Sequence, residues 1–208
     1  MATDRTAVIG FPVDHSLSPI IHNHWIKELG LDTKPYEKIN VDPNKFEEQI
    51  NNLKAEGYGG LNVTVPLKEL AFSISDETSG VSKKLKSVNT LSLNSEKING
   101  DNTDAVGFIN SLDKKTIENN ITNKKTLVLG AGGSARSVVH ALNELGGHVR
   151  LFNRTPEKAE ILLDDLSINS SPVGAEELDD YANSSSFIVN TTSLGQKEGE
   201  RNNILSFE

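Results

Sequence analysis

Residues 126–130, TLVLG, form a short apolar run that breaks at the glycine-rich turn GAGGSAR and resumes as SVVHALNEL with helical spacing. Gly130, Gly132 and Ala135 thus make G-x-G-x-x-A directly between a strand and a helix. Each small residue has a task in such a junction. The first glycine makes the tight turn, the second lets the backbone approach a pyrophosphate, and the third lets the helix pack on the strand. The helix N-terminus then offers unpaired backbone N–H groups to an anion. A second strand (HVRLFN), a helix (TPEKAEILLDDL) and a further strand (SSFIVNTT) follow. Strands alternating with helices imply a parallel sheet with helices on its faces. The second half therefore reads as a Rossmann-type, doubly wound α/β domain for a dinucleotide.

The end of the second strand selects the dinucleotide. An acidic residue about 20 positions after the glycines binds a free ribose 2′-hydroxyl, and an arginine there accommodates a 2′-phosphate. The sequence has Asn153-Arg154-Thr155 and no acid in that place. A guanidinium flanked by neutral hydrogen-bonding side chains suits a phosphate, so NADP is expected. The residues expected to hold it are Gly130, Ala131, Gly132, Gly133, Ser134, Ala135, Asn153, Arg154 and Thr155. A plainer reading of Thr155-Pro156 is a helix cap beside an incidental surface arginine.

The first half is also α/β. TAVIGF reads as a buried strand. Ser18-Pro19 is a helix start, with the Ser18 hydroxyl as cap. Ile21, Trp25 and Leu29 recur every four residues as its apolar stripe, and Gly30 stops it. Asp42-Pro43 repeats the device, with Phe46, Ile50 and Leu53 on one face and Gly57 beyond the end. In LNVTVP, alternation sends Leu61, Val63 and Val65 to one face and Asn62 and Thr64 to the other. Two polar side chains on one surface suit either a ligand pocket or the wet face of an edge strand. SVNTLSL and EKING read as a hairpin around Asn94-Ser95, and DNTDAVGF opens another helix. Residues 113–125 are polar and read as a helix end and interdomain loop.

At 208 residues the chain accommodates two domains, expected at 1–104 and 105–208. The net charge of -8 speaks against a general nucleic-acid binder. No apolar run approaches the roughly 20 residues that cross a bilayer, and the N-terminus reads as a strand and turn rather than a signal peptide. No membrane partner is expected. The absence of cysteine removes disulfides and thiolate chemistry and fits a cytoplasmic protein. His15, His22 and His24 cluster in sequence, but His22 and His24 do not face each other on a helix, so no metal site is expected. Ser134 is not in G-x-S-x-G, which removes a hydrolase elbow.

Read together, HSLSP, NVTVPLK, VNT, NTDAVG, GAGGSAR, NRT and NTTSLG stand in the order found in the shikimate dehydrogenase family, which the chain resembles from about residue 7 to about residue 196. The resemblance implies an NADP-dependent oxidoreductase that interconverts 3-dehydroshikimate and shikimate in chorismate and aromatic amino-acid biosynthesis. It implies that Ser16 and Ser18 bind the substrate carboxylate and that Asn62 and Thr64 line the pocket. Asn89 would bind a ring hydroxyl, and Lys68 and Asp104 would contact the substrate as the catalytic pair. The active site is expected in a cleft between the two domains. Taken singly, Lys68 also reads as a solvated lysine in a first helical turn, and Asp104 as an acid matching a helix dipole. The partner is then a small-molecule substrate, with a homodimer compatible with the sequence. Two other readings stay open: a quinate/shikimate dehydrogenase of relaxed specificity, and a non-catalytic module that senses metabolites or NADP.

The sequence departs from the family at its end. Family members continue beyond Ile204–Glu208 with elements that add a glutamine and a tyrosine to the pocket. A fragment, with a Rossmann sheet stopping after its fourth strand, is the expectation, a shortened homologue the alternative. QKEGERNN is also more polar than its family counterpart, which usually has a methionine near the nicotinamide.

Overall fold

The computed structural model describes residues 5–93, 96–192 and 194. The chain forms two compact units, Met1–Thr103 and Asp104–Glu208.

The first unit is built on a six-stranded sheet of order β2-β1-β3-β5-β6-β4. Its strands are β1 (Arg5–Gly10), β2 (Glu37–Asn40), β3 (Tyr58–Val63), β4 (Glu77–Thr78), β5 (Thr90–Ser92) and β6 (Asn99–Asp101). β1 is parallel to both β2 and β3, while β5 pairs antiparallel with β3 and β6. The hairpin expected from SVNTLSL and EKING is therefore present, although its Asn94-Ser95 turn lies outside the described residues. The helices are α1 (Ser18–Glu28), α2 (Phe46–Ala55), α3 (Lys68–Ile74) and α4 (Gly80–Leu85).

Helix α2 follows the sequence closely. Asp42 caps the 3-10 turn Pro43–Lys45 by accepting from Asn44 N at 2.9 Å. Phe46, Ile50 and Leu53 are buried against Ala7, Ile9, Leu61, Val63 and Leu91 of the sheet. Gly57 leaves the helix at φ +87°, where an L side chain is strained.

Two local expectations fail. The stripe Ile21, Trp25 and Leu29 is not buried, and α1 has no fully buried residue. The helix instead turns His22, Asn23 and Ile26 inward. The Asn23 amide accepts from Tyr36 N and donates to Tyr36 O, at 2.8 and 2.9 Å, and the His22 ring stacks on the Tyr36 ring at 4.1 Å. Paired polar contacts to a neighbouring backbone fix the rotation of the helix here, and the apolar stripe, with Leu17 and Ile20, faces outward. Alternation in LNVTVP also ends early. Leu61 and Val63 are buried, but β3 stops at Val63 and Val65 is 48% exposed.

The second unit contains a three-stranded parallel sheet of order β8-β7-β9: β7 (Lys125–Leu129), β8 (His148–Phe152) and β9 (Phe187–Asn190). Its helices are α5 (Asp104–Asn110), α6 (Lys114–Thr116), α7 (Gly133–Glu144), α8 (Pro156–Asp165) and α9 (Leu178–Ser184). With β8 on one side of β7 and β9 on the other, β9 holds the place of a fourth strand in the order 3-2-1-4. The third position is marked by the segment 170–173, which runs beside β8 through Ser170 Oγ to Val149 O and Val173 N to Leu151 O but joins no ladder. Residues 113–125 are not a plain loop. α6 runs into a π turn, Ile117–Ile121, whose Ile121 is fully buried, and the segment belongs to the second unit.

Candidate active site

Two loops of the first unit meet where β1 and β3 end. Thr64 N donates to Ile9 O at 2.9 Å and Phe11 N to Val65 O at 3.2 Å. Gly10 permits this approach, since a Cβ there would lie 2.6 Å from Thr64 Cγ2 and 3.2 Å from Val65 O. The backbone network continues outward: Val63 N donates to Asn89 O, Val88 N to Lys68 O, and Asn89 N to Asp101 O. The segments carrying Thr64, Lys68 and Asn89 are thereby one hydrogen-bonded assembly with the loop that leads to Ser16 and Ser18.

Within that loop, Ser16 N donates to Val13 O at 2.9 Å, closing a turn. The Ser16 hydroxyl accepts from Ser18 N at 3.3 Å and donates to the Ser18 hydroxyl at 3.2 Å. Ser18 is the first residue of α1 rather than its cap. The cap position is Leu17, whose side chain makes no capping bond. The Ser18 hydroxyl, spared from capping, retains its own proton to donate.

Lys68 is the first residue of α3 and only 8% exposed. That removes the solvated-lysine reading. Lysines are almost never buried to this degree without a specific reason, and the helix dipole disfavours a cation in the first turn.

Asn62 and Asn89 belong to a chain of side-chain hydrogen bonds. The Tyr36 hydroxyl donates to Asn62 Oδ1 at 2.7 Å, and Asn62 Nδ2 donates to Thr90 Oγ1 at 3.4 Å. Thr90 Oγ1 donates to Asn89 Oδ1, and Asn89 Nδ2 to Thr103 Oγ1, both at 2.9 Å. Burial raises the Tyr36 phenol well above its ordinary pKa and lowers that of His22, which keeps the stacked pair neutral near pH 7. Asn62 also borders a cavity of about 500 Å³ with His22, Tyr36 and Thr90, a cavity that Ser16, Ser18, Thr64, Lys68 and Asn89 do not line. The structure thus sets Asn62 into the supporting network, apart from the two serines. Sequence reasoning gave no role to Tyr36, Thr90, Asn102 or Thr103. The last three lie inside the motifs SVNT and NTDAVG and were available as signals. Buried Asn102 donates to Ser87 O at 3.0 Å, and Thr103 N to Asn89 Oδ1 at 3.1 Å, fixing the backbone that immediately precedes Asp104. Asp104 is half-buried and opens α5.

In the second unit the glycine turn sits where the strand order reverses beside β7, the usual ligand position in an open α/β sheet. Gly130 has φ +102° and donates to Phe152 O at 2.8 Å. A Cβ on it would lie 2.8 Å from Thr191 Oγ1 and 2.9 Å from Thr192 Cγ2. Gly132 is the opposite case: it caps α7, no side chain closes the helix end, and a Cβ would meet nothing within 4 Å. Ala135 is fully buried on the strand side. Such a cradle, with open space over the second glycine and an uncapped helix N-terminus, fits a dinucleotide pyrophosphate. Arg154 is exposed just after β8, in a turn held by Asn153 Nδ2 donating to Thr155 O at 2.8 Å. Thr155 occupies the cap position of α8 with Pro156 following, as the helix-start reading expects, although its side chain makes no capping bond. The larger cavity, about 840 Å³, lies at the other end of this sheet beside Lys125 and His148 and has no part in the cradle. Among the described residues no group of histidine, cysteine or carboxylate side chains could hold a metal ion, and no helix is long and apolar enough to cross a membrane.

Residues 8–91 match the family model of the shikimate dehydrogenase substrate binding domain, and residues 111–202 that of shikimate / quinate 5-dehydrogenase. The chain belongs to the shikimate dehydrogenase family. The shikimate dehydrogenase (NADP(+)) of Methylocella silvestris is 39% identical over 196 residues, covering 94% of this chain and 70% of that protein. The crystal structure of the Aquifex aeolicus shikimate dehydrogenase superposes with a TM-score of 0.84 at 38% identity, over 97% of this chain and 73% of that one. The Thermus thermophilus shikimate 5-dehydrogenase, solved in complex with NADP(H) and shikimate, gives 0.77 at 34% identity, over 94% and 70%. As a shikimate dehydrogenase family member, the chain has relatives that are NADP-dependent enzymes sharing its mixed and parallel α/β architecture.

Proposed function

We propose that the protein is a cytoplasmic, NADP-dependent dehydrogenase that reversibly reduces 3-dehydroshikimate to shikimate, within chorismate and aromatic amino-acid biosynthesis. The observation that carries this reading is Lys68, buried at the start of α3 in the same backbone network that holds Thr64, Asn89 and the serine loop. NADP(H), when bound, donates hydride to the carbonyl carbon or accepts it back. In the reductive direction negative charge grows on the carbonyl oxygen. The Lys68 ammonium stabilises that charge and delivers the proton, leaving a neutral amine, and in the oxidative direction the neutral Lys68 amine takes the hydroxyl proton away. Asp104 holds the same hydroxyl and keeps the lysine oriented. Ser16 and Ser18 donate to the carboxylate, Thr64 borders the ring, and Asn89 binds a ring hydroxyl while Asn62 supports it through Thr90. The cysteine-free composition supports the cytoplasmic setting. A homodimer belongs to the same reading, and sedimentation of the purified chain decides it.

Gly130 to Ala135 and Asn153 to Thr155 are the residues assigned to NADP, with Arg154 facing the 2′-phosphate. Arg154→Ala is expected to raise KM for NADP by about 10- to 100-fold, the worth of a charge-assisted contact, and to leave KM for NAD nearly unchanged. Equal losses with both cofactors would remove Arg154 from the 2′-phosphate. The test of the function itself follows reduced-nicotinamide absorbance with shikimate or quinate crossed against NADP or NAD. Turnover highest with shikimate and NADP is the expected result. Preference for quinate selects the relaxed-specificity enzyme, and binding of NADP without turnover in any combination selects the sensing module.

A further inference from the structure

The loop that carries Ser16 and Ser18 is clamped from the edge of the sheet. Asn40 is the last residue of β2 and pairs with Gly10 at the end of β1, so it stands beside the point where the loop departs. Its amide serves both sides of one peptide corner. Oδ1 accepts from Val13 N at 2.9 Å, while Nδ2 donates to the Asp14 carboxylate, at 3.2 Å to Oδ1 and 3.4 Å to Oδ2. Val13, whose carbonyl closes the turn onto Ser16 N, is fully buried. Lys38, two residues earlier on the same strand face, donates from Nζ to Asp14 O.

Electrostatics give this arrangement a purpose. Asp14 is an anion two residues from Ser16, in a loop assigned to a carboxylate-bearing substrate, and like charges a few ångströms apart repel. An amide N–H directed at the Asp14 carboxylate holds it toward β2. Securing Val13 N and Asp14 together needs a side chain with both an acceptor and a donor, and the Asn40 amide supplies them on two separate atoms.

We infer that Asn40 is a positioning residue for substrate binding: it fixes the loop so that the Ser16 and Ser18 hydroxyls are presented and Asp14 is turned aside. This rests on the proposed role of those serines in binding the substrate carboxylate. Its described side-chain partners are Val13 and Asp14, so it acts through the loop.

The test is steady-state kinetics of the full chain with shikimate and NADP. Asn40→Ala is expected to raise KM for shikimate about five- to tenfold, the scale of two lost hydrogen bonds of modest net worth. KM for NADP and kcat should stay within about twofold. Asn40→Asp retains the acceptor for Val13 N but sets a carboxylate against Asp14, and its KM for shikimate should rise further. Adding Asp14→Asn to that variant re-creates one donor and one anion across the same gap and should restore most of the affinity, a coupling that general destabilisation does not produce. Unchanged KM for shikimate in Asn40→Ala overturns the inference, as does a double variant no better than Asn40→Asp. Absence of shikimate turnover in the unaltered chain is a different failure. It removes the substrate reading, and the positioning role goes with it.

Discussion

Lys68→Met lowers kcat for shikimate oxidation about a thousandfold, within the 10²- to 10⁴-fold range typical of positioned general acid–base groups. Methionine is the informative replacement because Lys68 is buried. An unbranched apolar side chain fills the volume of the aliphatic stem, whereas alanine opens a cavity. Removing one member of a buried charged contact can itself destabilise, so the folded fraction of the variant is measured beside its turnover. Loss of turnover with retained stability therefore separates a proton-transfer role from a structural one. Turnover in Lys68→Met above about a tenth of normal is incompatible with that role.

The second large effect is a contrast between two glycines two residues apart. Gly130→Ala places a methyl group 2.8 Å from Thr191 Oγ1 and 2.9 Å from Thr192 Cγ2, at φ +102°. Neither threonine yields readily: Thr191 Oγ1 donates to Leu129 O at 2.7 Å, and Thr192 Oγ1 donates to Asn190 Oδ1 at 2.7 Å. Backbone strain alone costs roughly 1–3 kcal/mol, so this variant should lose thermal stability and NADP affinity together. Gly132→Ala meets no protein atom within 4 Å and has an ordinary negative φ of -94°. It should melt close to the unaltered protein and yet bind NADP at least tenfold more weakly, because its methyl group enters the space where the backbone must approach the pyrophosphate. Paired melting curves and NADP titrations check both. Full NADP affinity in Gly132→Ala would place the cofactor elsewhere.

What the sequence disclosed and what it hid divide along physical lines. The glycine turn was legible because a positive φ at Gly130 and the helix start at Gly133 are local, although the threonines that crowd Gly130 come from a distant part of the chain. Helix α2 was legible for the same reason, with its Asp42 cap and its Phe46, Ile50 and Leu53 stripe all nearby. The orientation of α1 was hidden because partners distant in sequence decide it. Asn23 bonds to Tyr36, and nothing in the spacing of Ile21, Trp25 and Leu29 outweighs those two bonds. β2 was hidden because EKIN is short and mostly polar, a parallel edge strand held by its ladder with β1. With β2 unseen, Asn40 had no position from which to reach Val13 and Asp14. The site shows the same division. Motif residues such as Lys68 and Asn89 stand in recognisable strings, whereas Tyr36 reaches Asn62 across 26 residues of sequence and leaves no mark in either neighbourhood.

The outward stripe of α1 governs how the protein behaves at high concentration. Leu17, Ile20, Ile21, Trp25 and Leu29 put a row of apolar side chains on the surface of a chain whose net charge is -8. In dilute buffer the shared negative charge keeps molecules apart. At about 0.1 M salt that repulsion reaches only about 10 Å, and sulfate or phosphate also strengthens the association of apolar surfaces. Colloidal stability of concentrated stocks thus depends on the identity of the anion as well as its amount. Chloride at low ionic strength is expected to favour dispersion and sulfate to favour association, which light scattering of concentrated stocks checks.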